Sequence, residues 1–265
     1  MKRILLLCLA YLVLGASGAQ AQLLIEKSRV EQTVRPGTTI ADTMVVHNRS
    51  SEPVAVKIYW QDFNYVSPYN GTKEFLPPGT SPYSMNGWVT FSPQQMVIPA
   101  QSKKEVDYTI KVPADAVGGH YGVLFFEQGA VKAMNATGVN IVTRLGALFF
   151  IDSTNRSKKL DSSDLKEADG TFSGSMRNEG NVYLFPKGQY YVMNSEGLVL
   201  DRGKLDKIYL PPKAEASYSF KPKKMDPGHY TLVLTFDLDE GDSLTREADF
   251  VTQTDGRIEI RTQRH

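Results

Sequence analysis

The sequence predicts an all-β protein: two tandem antiparallel immunoglobulin-like β-sandwiches behind a cleaved signal peptide. Three observations predict it. Gly-His-Tyr occurs at 119–121 and again at 228–230, each time opening an apolar run: VPADAVGGHYGVLFFE (112–127) and KPKKMDPGHYTLVLTFDLD (221–239). The two histidines lie 109 residues apart, and Pro99 of IPA lies 112 from Pro211 of LPP. A repeat of about 110 residues, built from short strands and Pro/Gly turns, has the size of one immunoglobulin-like domain. Finally, the apolar residues alternate with period two, and no segment sustains a helical period.

The N-terminus directs export. Lys2 and Arg3 precede a thirteen-residue apolar stretch (4–16), short for a membrane span, and Ala19 and Ala21 fit an A-x-A cleavage site. Residues 1–21 read as a signal peptide, and the protein as periplasmic or secreted, in a bacterial cell envelope. Cys8, the only cysteine, goes with the signal, so a core rather than disulfides holds the mature chain. Cleavage leaves 28 basic against 29 acidic residues, with no nucleic-acid footprint.

The elements follow in order. Residues 22–34 alternate loosely and end at Arg35-Pro36-Gly37. TIADTMVVHN (39–48) and VAVKIYWQD (54–62) flank a polar turn and read as a hairpin, with Val54, Val56, Ile58 and Trp60 on one face and Trp60 in the core. Residues 64–87 are rich in Tyr, Pro, Asn and Gly and have no counterpart in the second repeat. They read as a surface loop or edge hairpin, or as a recognition loop presenting Tyr65, Tyr69, Phe75 and Tyr83. Short strands at 88–91 and 96–98 precede an alternating strand at 104–112. The run 121–127 is apolar enough to be central, and 139–152 is a long closing strand.

A first domain thus spans 22–152, a charged linker 153–165, a second domain 166–253 and a fraying tail 254–265. Strands of the second domain fall at 171–176, 189–193, 198–205, 216–220, 230–237 and 244–252, with turns at Asn194-Ser195-Glu196-Gly197 and Asp239-Glu240-Gly241-Asp242.

No nucleophile elbow, phosphate-binding glycine loop or zinc spacing occurs, so the reading is a binding or assembly protein, not an enzyme, with no cofactor and no metal. His120 and His229 open equivalent strands and read as corner hydrogen-bonding residues. Asp237, Asp239, Glu240 and Asp242 crowd one turn without the bidentate glutamate a calcium loop needs, and read as a solvated turn.

VVHNRSSEPVAVKIYWQDF (45–63), SPQQMVIPAQSKKEVDYTIKVPAD (92–115) and NIVTRLGALFF (140–150) resemble the amino-terminal domain of periplasmic pilus-assembly chaperones, over about 130 residues. The run 112–127 is also similar to immunoglobulin-like domains of bacterial surface proteins. The first resemblance implies a boomerang of two domains whose closing strand is donated to an incomplete pilus subunit. It implies partner contacts at Val139, Ile141, Leu145 and Phe149, and a subunit carboxylate anchored by Arg29 on the first strand and Arg144 on the closing one. The partner is then a pilin-like subunit or envelope protein, without nucleic acid or stable membrane insertion. The alternative is a structural or adhesive envelope module that binds protein or glycan through loops such as 64–87. For Arg29 and Arg144 a plainer role stays open, as edge-strand charges that block aggregation.

Overall fold

The computed structural model describes residues 23–129, 142–240 and 242–264. These fold as two double-sheet units. The first contains β1 (Leu23–Ile25), β2 (Arg29–Val34), β3 (Thr39–Asn48), β4 (Val54–Tyr65), β5 (Lys73–Leu76), β6 (Val89–Ser92), β7 (Gln95–Ile98), β8 (Lys103–Lys111), β9 (Gly119–Gln128) and β10 (Arg144–Ser153). One sheet runs β1-β3-β8-β6; the other runs β2-β10-β9-β4-β5, with β7 also on β4. The second unit contains β11 (Leu160–Ser162), β12 (Lys166–Ala168), β13 (Thr171–Asn178), β14 (Lys187–Asn194), β15 (Val199–Lys204), β16 (Glu215–Phe220), β17 (Gly228–Asp237), β18 (Ser243–Thr252) and β19 (Ile258–Arg264). Its larger sheet runs β15-β14-β17-β18-β19, while β11, β12 and β16 all pair with β13.

The two units superpose as a pattern. β4, β9 and β10 of the first sheet answer to β14, β17 and β18 of the second, so both Gly-His-Tyr copies open the central strand. Two further residues mark the repeat. Asn48 and Asn178, both buried, end β3 and β13. Their side-chain amides donate to the carbonyls of Ile98 and Pro99 in one unit and of Val182 and Leu210 in the other, at 2.7–3.0 Å.

The alternation places the cores. Val56, Ile58 and Trp60 of β4 meet Val106, Tyr108 and Ile110 of β8 and Leu124 and Phe126 of β9. Trp60 is 9% exposed and packs edge-on against Phe149. Its burial removes roughly 150–250 Å² of apolar surface from water. Gly122 makes room for it: a Cβ there would stand 2.0 Å from the indole.

Four expectations change. β3 and β4 form no hairpin, because the polar turn between them carries the chain across the sandwich and Asn48 pins that corner. The sheets are not wholly antiparallel, because β1 crosses at 26–28 to the other sheet and continues as β2, parallel to β10. The expected linker contains β11, on β13. The expected tail contains β19, on β18, held there by Arg264 hydrogen-bonding Glu247 and Asp249. No helix among the described residues is long and apolar enough to cross a membrane.

Candidate functional site

β10 is the strand on which the candidate residues converge, and its two sides differ. On one side it pairs with β9 along Arg144 to Asp152. On the other it pairs with β2 only from Leu148 onward, where the Leu148 N–H donates to the Ser28 carbonyl at 3.0 Å. Backbone groups alternate along a strand, so the N–H and C=O of Gly146 and Arg144 point to the same side as those of Leu148. Among the described residues no strand pairs with that side of 144–147. The result is a short open edge, and it stops where Arg29 begins β2.

The register of β10 decides which side chains that edge presents. Ala147, Phe149 and Ile151 are buried in the core of their own unit, and Leu145 packs partly against it. Phe149, at 0% exposure, is enclosed by Trp60 and Tyr108. Phe149 is therefore not a partner-facing residue, which corrects the expectation; Leu145 is half-buried on the same face. Val139 and Ile141 lie outside the described residues. The opposite face of β10 carries Arg144, Leu148 and Phe150, and joins an aromatic stripe formed with Phe63, Tyr65, Tyr121 and Phe125.

Both predicted arginines lie on this stripe, but they are not together. Arg29 stacks over Phe150 and Phe185, with its guanidinium carbon 4.0 and 4.9 Å from the ring centroids, and pairs with Glu31 at 2.8 Å. Arg144 stacks over Phe125 at 4.1 Å and Phe75 at 5.4 Å, and donates to the Tyr59 hydroxyl at 3.4 Å. Tyr59 in turn donates to Glu127 at 2.6 Å. Burial, then the Glu127 hydrogen bond, push the Tyr59 hydroxyl above its ordinary range. Arg144 is opposite Glu127 and four residues from Leu148, the partner of Arg29. That separation is roughly 13 Å along the strand.

The far end of the stripe is capped by the second unit. Tyr121 and Tyr183 stack with centroids 4.0 Å apart, and Tyr65 lies 4.7 Å from Tyr209. The Tyr183 N–H donates to the Tyr121 hydroxyl at 2.8 Å, and the Tyr209 N–H to the Tyr69 carbonyl at 2.8 Å. Burial holds the Tyr65 hydroxyl up at about 12. Residues 64–87 thus end β4, form β5 at the sheet edge, and send Tyr65, Tyr69 and Tyr83 toward the other unit, where Tyr83 donates to the Pro212 carbonyl. Of the four aromatics expected to meet a partner, Phe75 alone is substantially exposed.

The acidic turn after β17 is not simply solvated. Glu240 bridges Arg156 and Lys158, and Asp239 pairs with Lys187. Arg156 also reaches Asp152 of β10 at 3.3 Å. No group of three or more metal-ligating side chains occurs among the described residues. Beside Arg29, between the units, lies a cleft of about 470 Å³ lined by Phe185, Leu205, Ile208 and Tyr209.

Sequence reasoning missed Tyr183, Phe185 and Tyr209. They lie outside the strands, so no period marks them. Their one signal is that NVYLFP (181–186) is too apolar for a turn.

No family model and no curated protein matches the chain. Solved structures do. A chain from a chaperone–tip adhesin complex of CFA/I fimbriae biogenesis is 16% identical, with a TM-score of 0.50, covering 85% of this chain and 97% of its own. The class 5 fimbriae chaperone CfaA is 15% identical, also with a TM-score of 0.50, covering 91% and 99%. Both sandwiches and their succession are therefore shared: the chain has the two-domain fold of fimbrial chaperones.

Proposed function

We propose that this chain, which has the fold of the pilus-assembly chaperones, is an exported assembly protein that captures an incomplete subunit by strand pairing along the open edge of β10. The observation that carries the reading is that edge itself. Unpaired backbone donors and acceptors at 144–147 invite a strand, and β2 already shows how one runs there, parallel to β10. An added strand supplies hydrogen bonds along its length, while its alternate side chains choose the partner. The partner would be a protein of subunit type, as in the chaperone–adhesin complex of similar fold. Binding and assembly, not catalysis, is the activity this supports, in the periplasm or beyond it.

The loop-binding module draws less support, since Tyr65, Tyr69 and Tyr83 are occupied with the second domain. Coexpression with an immunoglobulin-like subunit lacking its last strand tests the proposal. Wild type should keep that subunit soluble and protease-resistant. Arg144→Pro should not, because it removes one edge N–H at the strand's first residue, a place where proline is tolerated. Arg144→Ala separates loss of the guanidinium from loss of the backbone donor. Equal capture by wild type and a folded Arg144→Pro protein would refute edge pairing.

A further inference from the structure

The second sandwich has an opening at the end far from the joint. β17 begins there at Gly228 and runs ten residues, roughly 30 Å, toward the acidic turn that meets Arg156. Between the two sheets at this end lies a cavity of about 220 Å³, floored by Phe172, Met225, Phe250 and Ile258. Thr252, the last residue of β18, also lines it. Thr252 is 3% exposed and shares the core-facing side of β18 with Ala248 and Phe250, yet its hydroxyl has no hydrogen-bond partner within the protein. A buried hydroxyl left unpaired favours a ligand that supplies the missing bond.

The mouth of the cavity is basic. Lys221, Lys223 and Lys224 line it from the loop between β16 and β17, and all three are exposed. Lys221 crosses the turn at Gly170, where a Cβ would lie 3.5 Å from its Cε and 4.0 Å from its Nζ. The loop is fixed from two sides: the Lys223 N–H donates to the Asp201 carboxylate at 2.9 Å, and Met225 is buried in the core. Asp169 is the one acidic residue lining the cavity, and among the described residues no carboxylate lies within ion-pair distance of the three lysines.

These features select a ligand. An apolar cavity of roughly 150 Å³ holds a benzene ring, so this one has room for a single aromatic side chain with one polar group. A phenol matches both parts, with its ring against Phe172 and Phe250 and its hydroxyl at Thr252. Three exposed cations around the mouth suit carboxylates on both sides of that ring rather than one small anion. We infer that this cavity is a docking site for a tyrosine flanked by acidic residues on a partner protein. It lies on the second domain alone and does not depend on the β10 edge.

Calorimetric titration of the full chain with blocked pentapeptides tests this. The peptides are acetyl-Asp-Glu-Tyr-Glu-Asp-amide, the same with Phe for Tyr, and one with Lys for every acid. The Tyr peptide should bind about tenfold more tightly than the Phe peptide, which leaves the Thr252 hydroxyl unpaired. The Lys-flanked peptide should not bind detectably. Thr252→Val keeps the shape of the side chain and should abolish the Tyr preference without changing affinity for the Phe peptide; Thr252→Ser should retain the preference. Lys221→Gln combined with Lys224→Gln should weaken both acidic peptides alike, by about tenfold at low salt. The site is overturned if wild type does not bind the Tyr peptide, if the Lys-flanked peptide binds equally, or if the double lysine change has no effect. A Tyr preference kept by a folded Thr252→Val protein also overturns it. So does 4-hydroxyphenylacetate binding as tightly as the Tyr peptide, which would assign the cavity to a free aryl acid. If Thr252→Val does not fold, amide resonances of wild type decide: the Tyr peptide must shift those of Gly170, Met225 and Thr252, and shifts confined to other residues overturn the site.

Discussion

His120 and His229 are the middle residues of the same tripeptide, yet the structure uses the two copies differently. In the second copy the Tyr230 hydroxyl donates to the Asp226 carbonyl at 2.8 Å, the tyrosine corner of immunoglobulin-like domains. In the first, Tyr121 folds over Gly119 more closely: a Cβ there would lie 1.7 Å from its hydroxyl oxygen, against 3.3 Å between a Cβ on Gly228 and the Tyr230 hydroxyl. Its hydroxyl, however, serves the domain contact, accepting from the Tyr183 N–H. Tyr230→Phe should therefore cost about 1 kcal/mol within the second domain. Tyr121→Phe should cost more, because a buried N–H loses its acceptor, and should speed proteolysis between the domains. Urea unfolding and limited trypsin digestion separate the two outcomes. His120 lies against Trp88 with centroids 4.2 Å apart, and its Nδ1 approaches the Ser84 carbonyl. Burial lowers its pKa below the ordinary 6.5, despite the backbone carbonyls of Ser84 and Val117. The folded state then binds its proton less well than the unfolded one, so this stability is present above the unfolded pKa and is lost as pH falls below it. Melting followed from about pH 7.5 to 5 should show a fall that His120→Phe, which keeps a ring against Trp88, flattens.

Much of the element scale was legible. β3 spans the expected 39–48 from end to end, β9 is central as its unbroken apolar run required, and Trp60 fills the core. The side of β10 was not legible. Val139, Ile141, Leu145 and Phe149 share one parity, and a period of two names a face without saying what it meets. Trp60 and Tyr108 claim that face at Phe149 for the core. β11 and β19 were missed because both are short or charged edge strands, in which polarity hides the pattern. β19 is held by ions more than by burial. Hydrogen bonds from Arg264, then Thr262, lower the Asp249 carboxyl to about 2. That support is present above the unfolded carboxylate pKa and is lost as pH falls toward the folded value. Arg264→Ala should speed amide exchange along β19 without shifting the cores, as read by hydrogen exchange at neutral pH. The buried asparagines are the element-scale anchors of both domains. Asn48→Ala strands the Ile98 and Pro99 carbonyls and should cost about 2 kcal/mol in urea unfolding.

At the scale of the molecule, the repeat legible in the sequence is the two-sandwich fold shared with the fimbrial chaperones. What the repeat could not show is the joint. It is built from aromatics lacking a period (Tyr65, Tyr83, Tyr183 and Tyr209) and from the Arg156 bridge between Asp152 and Glu240. That joint sets a cleft beside Arg29, at the point where the lane next to β10 ends. The central claim is that a subunit strand enters this lane. Hydrogen exchange on the chain alone and bound to an immunoglobulin-like subunit lacking its last strand tests it most directly. The account predicts that the amides of Arg144 and Gly146 exchange freely alone and become protected in the complex, while those of residues 64–87 do not change. Unchanged exchange at Arg144 and Gly146, with protection at residues 64–87 instead, would contradict it.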